Sequence, residues 1–94
     1  MHNTEFISLI ETYAPLKAAA PWDNSGVQVE SDKDAVHKVC VALDPTPATV
    51  SAALELKADF LLCHHPLALS PRHLNARDQY FHVVRKLIHA DCRL

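Results

Sequence analysis

Two adjacent histidines, His64 and His65, followed by Pro66, are the residues of this chain best suited to chemistry. Imidazole nitrogen is a good donor to zinc, iron, nickel and copper. Neighbouring side chains on a strand point to opposite faces, so a histidine pair inside regular β structure does not easily share one ion. Where a chain leaves a sheet, the two rings can diverge around a site and hold two ions separately. Pro66 stiffens such an exit by restricting His65 to extended backbone. Two ions ~3.5–4 Å apart activate water and stabilise a developing oxyanion, which is the chemistry of hydrolysis. Two imidazoles do not complete such a site, and the remaining ligands, carboxylates or further histidines, must come from elsewhere. By pattern alone, a His-His-Pro after an apolar strand is also compatible with an ordinary loop.

Other candidates have competing structural readings. Trp22, Asp23 and Asn24 can line a substrate cleft, or form a loop whose Trp packs on the core and whose Asp caps a turn. Asp44 can orient a metal-bound histidine, or cap the helix that follows it, the commoner role. His2, His37, His73, His82 and His89 read as surface residues. No Ser-His-Asp or Cys-His triad can be assembled, because Cys63 falls inside an apolar run; the catalytic residues are therefore unknown at this stage. A single glycine, Gly26, excludes any G-x-G-x-x-G or Walker loop, and with it a glycine-rich phosphate cradle.

The elements that must position the pair follow from hydrophobic periodicity. Phe6, Ile7, Leu9, Ile10, Tyr13 and Ala14 recur with helical spacing, so residues 4–14 should be helical, with Asn3 or Thr4 as N-cap and Pro15 near the end. Residues 27–29 read as a short strand. The β-branched, apolar run 36–43 reads as a strand buried on both faces. Thr46-Pro47 is a helix start with Pro at the first position, opening a helix over 47–57. Residues 59–63 (D-F-L-L-C) form the next short strand. Asn75 can cap a third helix over 76–89 with Tyr80, Phe81, Val84, Leu87 and Ile88 on its apolar face. Cys92-Arg93-Leu94 begins another strand. Alternation of strand and helix implies a βαβ crossover and an α/β fold with a partly parallel sheet and flanking helices, in one domain over residues 1–94. Chemistry in such sheets gathers beyond the carboxyl ends of the strands. His64 and His65 stand at one such end and Asp44 at its neighbour.

Composition limits the function classes. The chain has 94 residues, is 49% hydrophobic and 21% charged, and carries a net charge of −2. That is a globular composition, without the clustered basic surface of a nucleic-acid binder. No apolar run approaches the ~18 residues of a membrane-spanning helix, and the first residues lack the basic and apolar regions of a secretory signal. The three cysteines, Cys40, Cys63 and Cys92, are odd in number, lie in apolar stretches and have no C-x-x-C spacing. Reduced, buried thiols and a cytoplasmic location are the expectation.

Four segments together carry a resemblance: W-D-N-S-G-V-Q-V at residues 22–29, V-C-V-A-L-D-P-T at 39–46, A-D-F-L-L-C-H-H-P-L at 58–67, and V-R-K-L-I at 84–88. In this order and spacing the chain resembles the GTP cyclohydrolase I type 2 homologues, also called the Ngg-one-interacting-factor-three-like family. The resemblance spans nearly the whole chain. It implies the N-terminal portion of a larger two-metal domain, in which His64 and His65 match a histidine pair that binds metal. The aspartate, histidine and glutamate that would complete the site have no counterpart in these 94 residues. The resemblance further implies two divalent metal ions (zinc, iron or similar) as cofactors, a small-molecule substrate, and self-association as a homohexameric ring. Where the family usually has Gly, this chain has Glu30.

Two functions are compatible with this reading. One is a metal-dependent hydrolase, GTP cyclohydrolase-like by family name, whose activity needs more than this chain. The other is a non-enzymatic metal-binding scaffold or protein-interaction module. A sheet edge and helix faces left uncovered would favour pairing with another copy.

Overall fold

The computed structural model describes residues 1–94. Helix α1 (Asn3–Tyr13) is capped by His2, whose Nδ1 accepts from the Thr4 N–H at 3.2 Å, so the cap lies one residue before the expected Asn3 or Thr4. The helix ends ahead of Pro15, and a 3₁₀ turn (Leu16–Ala18) follows. No residue of α1 is fully buried, but Phe6 packs edge-on against Phe60 with ring centroids 5.0 Å apart.

Strand β1 (Val39–Ala42) is shorter than the expected 36–43, and the competing hydrogen bonds explain why. The Val36 N–H donates to the Met1 carbonyl at 2.7 Å. The N–H groups of His37 and Lys38 donate to the Asp59 carboxylate at 2.9 and 3.1 Å. These donors are held off to the side, and pairing starts only at Val39. The expectation of burial on both faces also fails: Val41 is 76% exposed.

Thr46 caps α2 (Pro47–Glu55), its hydroxyl accepting from the Thr49 N–H at 3.1 Å, with Pro47 at the first turn. The helix stops short of the expected Lys57 because Lys57 adopts φ 58°, the left-handed conformation that terminates helices. Strand β2 (Phe60–Cys63) pairs with β1 in parallel, Val39 opposite Phe60 through Ala42 opposite Cys63. Helix α3 (Gln79–His89) begins three residues later than expected. Asp78, not Asn75, is its cap, accepting from the Phe81 N–H at 2.9 Å while holding Arg72 at 2.7 Å.

The core lies between the sheet and the α2–α3 layer, where Val50, Ala53, Leu61, Val83, Leu87 and Cys92 are buried together. Cys40, Ala42 and Cys63 face the same side. On the other face α1 covers the Phe60 end and leaves Val41 open.

The last residues begin a third strand, as expected: Arg93 bridges Phe60 in parallel, and the Leu61 N–H donates to the Arg93 carbonyl at 2.7 Å. Residues 27–29 are not a regular strand. Gln28 and Val29 instead exchange backbone hydrogen bonds with Leu94 alone. Arg93 is 1% exposed. Its Nε donates to Glu30 and its Nη2 to the carbonyls of Ser31 (2.8 Å) and Lys33 (3.2 Å), while Nη1 is buried without a partner. The Ser31 N–H and Arg93 hold the Glu30 carboxyl below its ordinary range. No helix is long and apolar enough to cross a membrane.

Asp59 ties the loop before β1 to the start of β2 through His37, Lys38 and the Lys33 ammonium at 3.0 Å. Burial opposes its ionisation, but the donors from His37, Lys33 and Lys38 outweigh it and lower its pKa. Such a group stabilises the fold above the unfolded value of about 3.9, and that contribution is lost as pH falls through the lower folded value. Asp59→Asn should cost about 1.5–3 kcal/mol at neutral pH in urea unfolding. The gap to the unsubstituted chain should narrow below about pH 4. A gap of constant size from about pH 6 to about pH 2.5 would count against this role.

Candidate metal centre

Both histidines stand where the chain leaves β2. The His64 N–H donates to the Ala42 carbonyl at 3.1 Å and the His65 N–H to the Leu43 carbonyl at 3.0 Å. In a regular parallel ladder, consecutive N–H groups point to opposite sides. Here two in succession reach the same neighbouring strand, so the backbone turns as it leaves the sheet. The rings consequently lie beside one another, centroids 4.9 Å apart and tilted by 55°, instead of on opposite faces. Both are exposed.

Asp44, at the end of β1, receives His65: its Oδ1 lies 2.6 Å from His65 Nδ1, with both side chains about half exposed. Helix capping, the commoner role, falls to Thr46 instead. The register makes the meeting possible, since Asp44 and His65 each follow the Ala42–Cys63 pair by two residues.

The rings open onto a cleft of about 620 Å³ between α1 and the uncovered sheet face. Ile7, Ile10, Leu16 and Val41 form its apolar wall; Asp23, Asn24, Ser25 and Gln28 face them from the loop. Asn24 and Gln28 lock that loop to the segment beyond the histidines. Asn24 Nδ2 donates to the Ala68 carbonyl at 2.8 Å, and the Leu67 N–H donates to Gln28 Oε1 at 3.3 Å. Gly26 has φ 118°, which suits glycine, so a side chain there would be strained although open space surrounds it.

Each reading of the Trp22-Asp23-Asn24 loop is partly met. Asp23 and Asn24 line the cleft, and Asp23 also caps the turn, accepting from the Asn24 N–H at 2.7 Å. Trp22 does neither; it is 71% exposed and not on the core. Gln28 was missed by sequence reasoning, because a polar residue between two valines looks like the outward position of a strand. His2, His37, His73, His82 and His89 are exposed, as expected.

The chemical capacity of the site is partial. His64 and His65 offer two imidazoles, with Asp23 and Glu11 on the same cleft and neither lysine nor arginine among its lining residues. That balance favours cations. No group of three or more His, Cys, Asp or Glu side chains is close enough to hold an ion. The donor set fits part of a metal centre, not a whole one.

A parallel α/β layer with a histidine pair at a strand's carboxyl end, open to a cleft, defines the class. The chain belongs to the Duf34/NIF3 (NGG1p interacting factor 3) family, which matches it over residues 1–94. It is 30% identical over its whole length to a Staphylococcus epidermidis protein called a GTP cyclohydrolase 1 type 2 homolog, covering 26% of that protein. A Methanocaldococcus jannaschii protein of the same name is 40% identical over 72 residues, 76% of this chain and 30% of that protein. Among solved structures, reduced HcgD from Methanocaldococcus jannaschii superposes with a TM-score of 0.91 at 35% identity, covering all of this chain and 38% of that one. A Bacillus cereus protein related to NIF3 superposes with a TM-score of 0.88 at 31% identity, over 99% of this chain and 26% of that one. The chain thus corresponds to the N-terminal part of longer relatives, about a quarter to two fifths of their length.

Neither Cys63 nor Cys92 offers a ready thiolate. Burial, helped by the nearby Asp44 charge, pushes the Cys63 thiol up to about 11, and burial does the same to Cys92. At pH 8 each should hold on the order of a hundredfold less thiolate than a free cysteine. Iodoacetamide labelling of the folded chain should be correspondingly slow at both, and fast labelling of Cys63 at pH 8 would contradict the assignment.

Proposed function

We propose that this chain supplies the histidine-pair half of a dinuclear metal centre in a hydrolase-like protein. The observation that carries the reading is the side-by-side placement of the His64 and His65 rings at the mouth of the cleft, produced by the turn at the end of β2. Two divalent metal ions (zinc, iron or similar), when bound, would polarise a scissile group and supply hydroxide at neutral pH. His64 and His65 would hold them from one side, and carboxylates or further imidazoles from outside these 94 residues would complete the coordination. The apolar wall of Ile7, Ile10, Leu16 and Val41 would bind the less polar part of a small substrate and exclude water.

The name carried by several relatives suggests opening of a guanine ring. In this chain no lysine or arginine faces the cleft, so recognition of a triphosphate would rest on the metals and on groups elsewhere in the protein. The alternative, a non-catalytic metal-binding scaffold, draws support from β1 being an edge strand, with Val41 (76%) and the neighbouring Leu43 (59%) exposed. An uncovered apolar edge of this kind favours pairing with another copy, in keeping with the oligomeric ring that the family resemblance implies. Both readings use the same histidines and differ in turnover.

Two neutral imidazoles without carboxylate ligands make a poor cage. Zinc titration of the 94-residue chain, followed by histidine ring resonances, should show weak binding at His64 and His65, lost in His64→Ala and in His65→Ala. Zinc perturbation confined to other histidines would overturn the metal reading. Tight stoichiometric uptake of two ions by the chain alone would overturn the idea of an incomplete set.

A further inference from the structure

We infer that Asp44 is a positioning residue, which fixes the Nδ1–H tautomer of His65 and so presents His65 Nε2 as the metal-binding atom. This rests on the metal reading of the histidine pair and adds which nitrogen binds and what selects it.

Asp44 Oδ1 and His65 Nδ1 are 2.6 Å apart. A carboxylate oxygen can only accept, so the hydrogen between them belongs to Nδ1. A neutral imidazole carries one N–H, and with Nδ1 occupied the lone pair must sit on Nε2. A metal ligates through the lone pair, so the carboxylate decides which atom is offered. Ligating histidines commonly donate their other N–H to a carboxylate or carbonyl, which fixes the ring and raises its basicity.

The contact is a property of the sheet. Parallel register places Ala42 opposite Cys63, and the strand ends that follow bring Asp44 and His65 to one spot. Pro45, buried directly after Asp44, and the Thr46 cap of α2 hold the backbone on one side. The His65 N–H to Leu43 carbonyl bond and Pro66 hold it on the other. Asp44 has no other side-chain partner in the structure, and His64 has no carboxylate of its own. The two histidines are therefore unequal: His65 is oriented by a carboxylate and His64 is not.

The test uses the chain itself, labelled with ¹⁵N in its histidines. Without metal at about pH 8, two-bond ¹⁵N–¹H correlations should show His65 as the Nδ1–H tautomer. In Asp44→Ala the Nε2–H form should take over, while Asp44→Asn, which keeps an acceptor oxygen, should retain part of the original population. With zinc as probe, Asp44→Ala should weaken binding at His65 about 10–100-fold. An unchanged His65 tautomer in Asp44→Ala would overturn the inference. So would loss of zinc affinity without any tautomer change, which would make Asp44 a direct ligand. The metal reading is judged separately, by whether His65→Ala alters zinc binding at all. The tautomer measurement needs no metal and decides the role of Asp44 in either case.

Discussion

The parallel register of β1 on β2 is the constraint on which the site depends. A shift of the pairing by one residue would exchange the faces of β2, sending Leu61 and Cys63 out of the core and Leu62 into it. The same shift would separate Asp44 from His65 by one residue along the ladder and break a contact that needs 2.6 Å. The register is held from the core side, where Leu61 is 1% exposed against Val50 and Leu87, both fully buried. Packing energy on one face of the sheet therefore sets side-chain chemistry at its carboxyl end. Burying a leucine or valine contributes about 1.5–3 kcal/mol, more than a half-exposed His–Asp pair could supply to hold the register itself.

A second constraint closes the sheet from the opposite end of the chain. Arg93 is buried beside Phe60, and its guanidinium draws Glu30 and the carbonyls of Ser31 and Lys33 inward. Asp91, in the left-handed conformation at φ 54°, accepts from the Ser31 hydroxyl and the Asp32 N–H, each at 2.8 Å. These contacts anchor the segment that leads from the cleft loop into β1. Glu30, which replaces the glycine expected from the family resemblance, is thus the partner that makes a buried arginine tolerable. Removing it would leave the buried guanidinium with the carbonyls of Ser31 and Lys33 and no counter-charge.

The sequence made the alternation of elements legible, because the amphipathic and apolar runs are strong. It made the ends much less so. The 36–43 run looked like one strand because its residues are β-branched, yet the Asp59 carboxylate captures two of its N–H groups from across the fold, which periodicity cannot register. Asn75 and Asp78 are both good caps, and the one used is the one that also holds Arg72. Exposure of Val41 contradicts an all-buried strand for a different reason, since α1 is short and covers only the Phe60 end of its face. At the site, the type and position of His64 and His65 were readable from residue identity and the strand that precedes them. That Asp44 would meet His65 instead of capping α2 was not, because it depends on the register between strands whose paired residues lie 21 positions apart.

The turn after Cys63 resolves the difficulty that a histidine pair poses. Adjacent residues on a strand face opposite ways, so the pair belongs at a strand end and not within one. Donating both N–H groups to Ala42 and Leu43 uses the neighbouring strand as a template for the turn, and Pro66 then restricts the backbone of His65. The rings emerge together at 4.9 Å between centroids, beside an acidic and apolar cleft that carries no cation of its own. Both rings stay exposed, and the Asp44 carboxylate holds the one on His65.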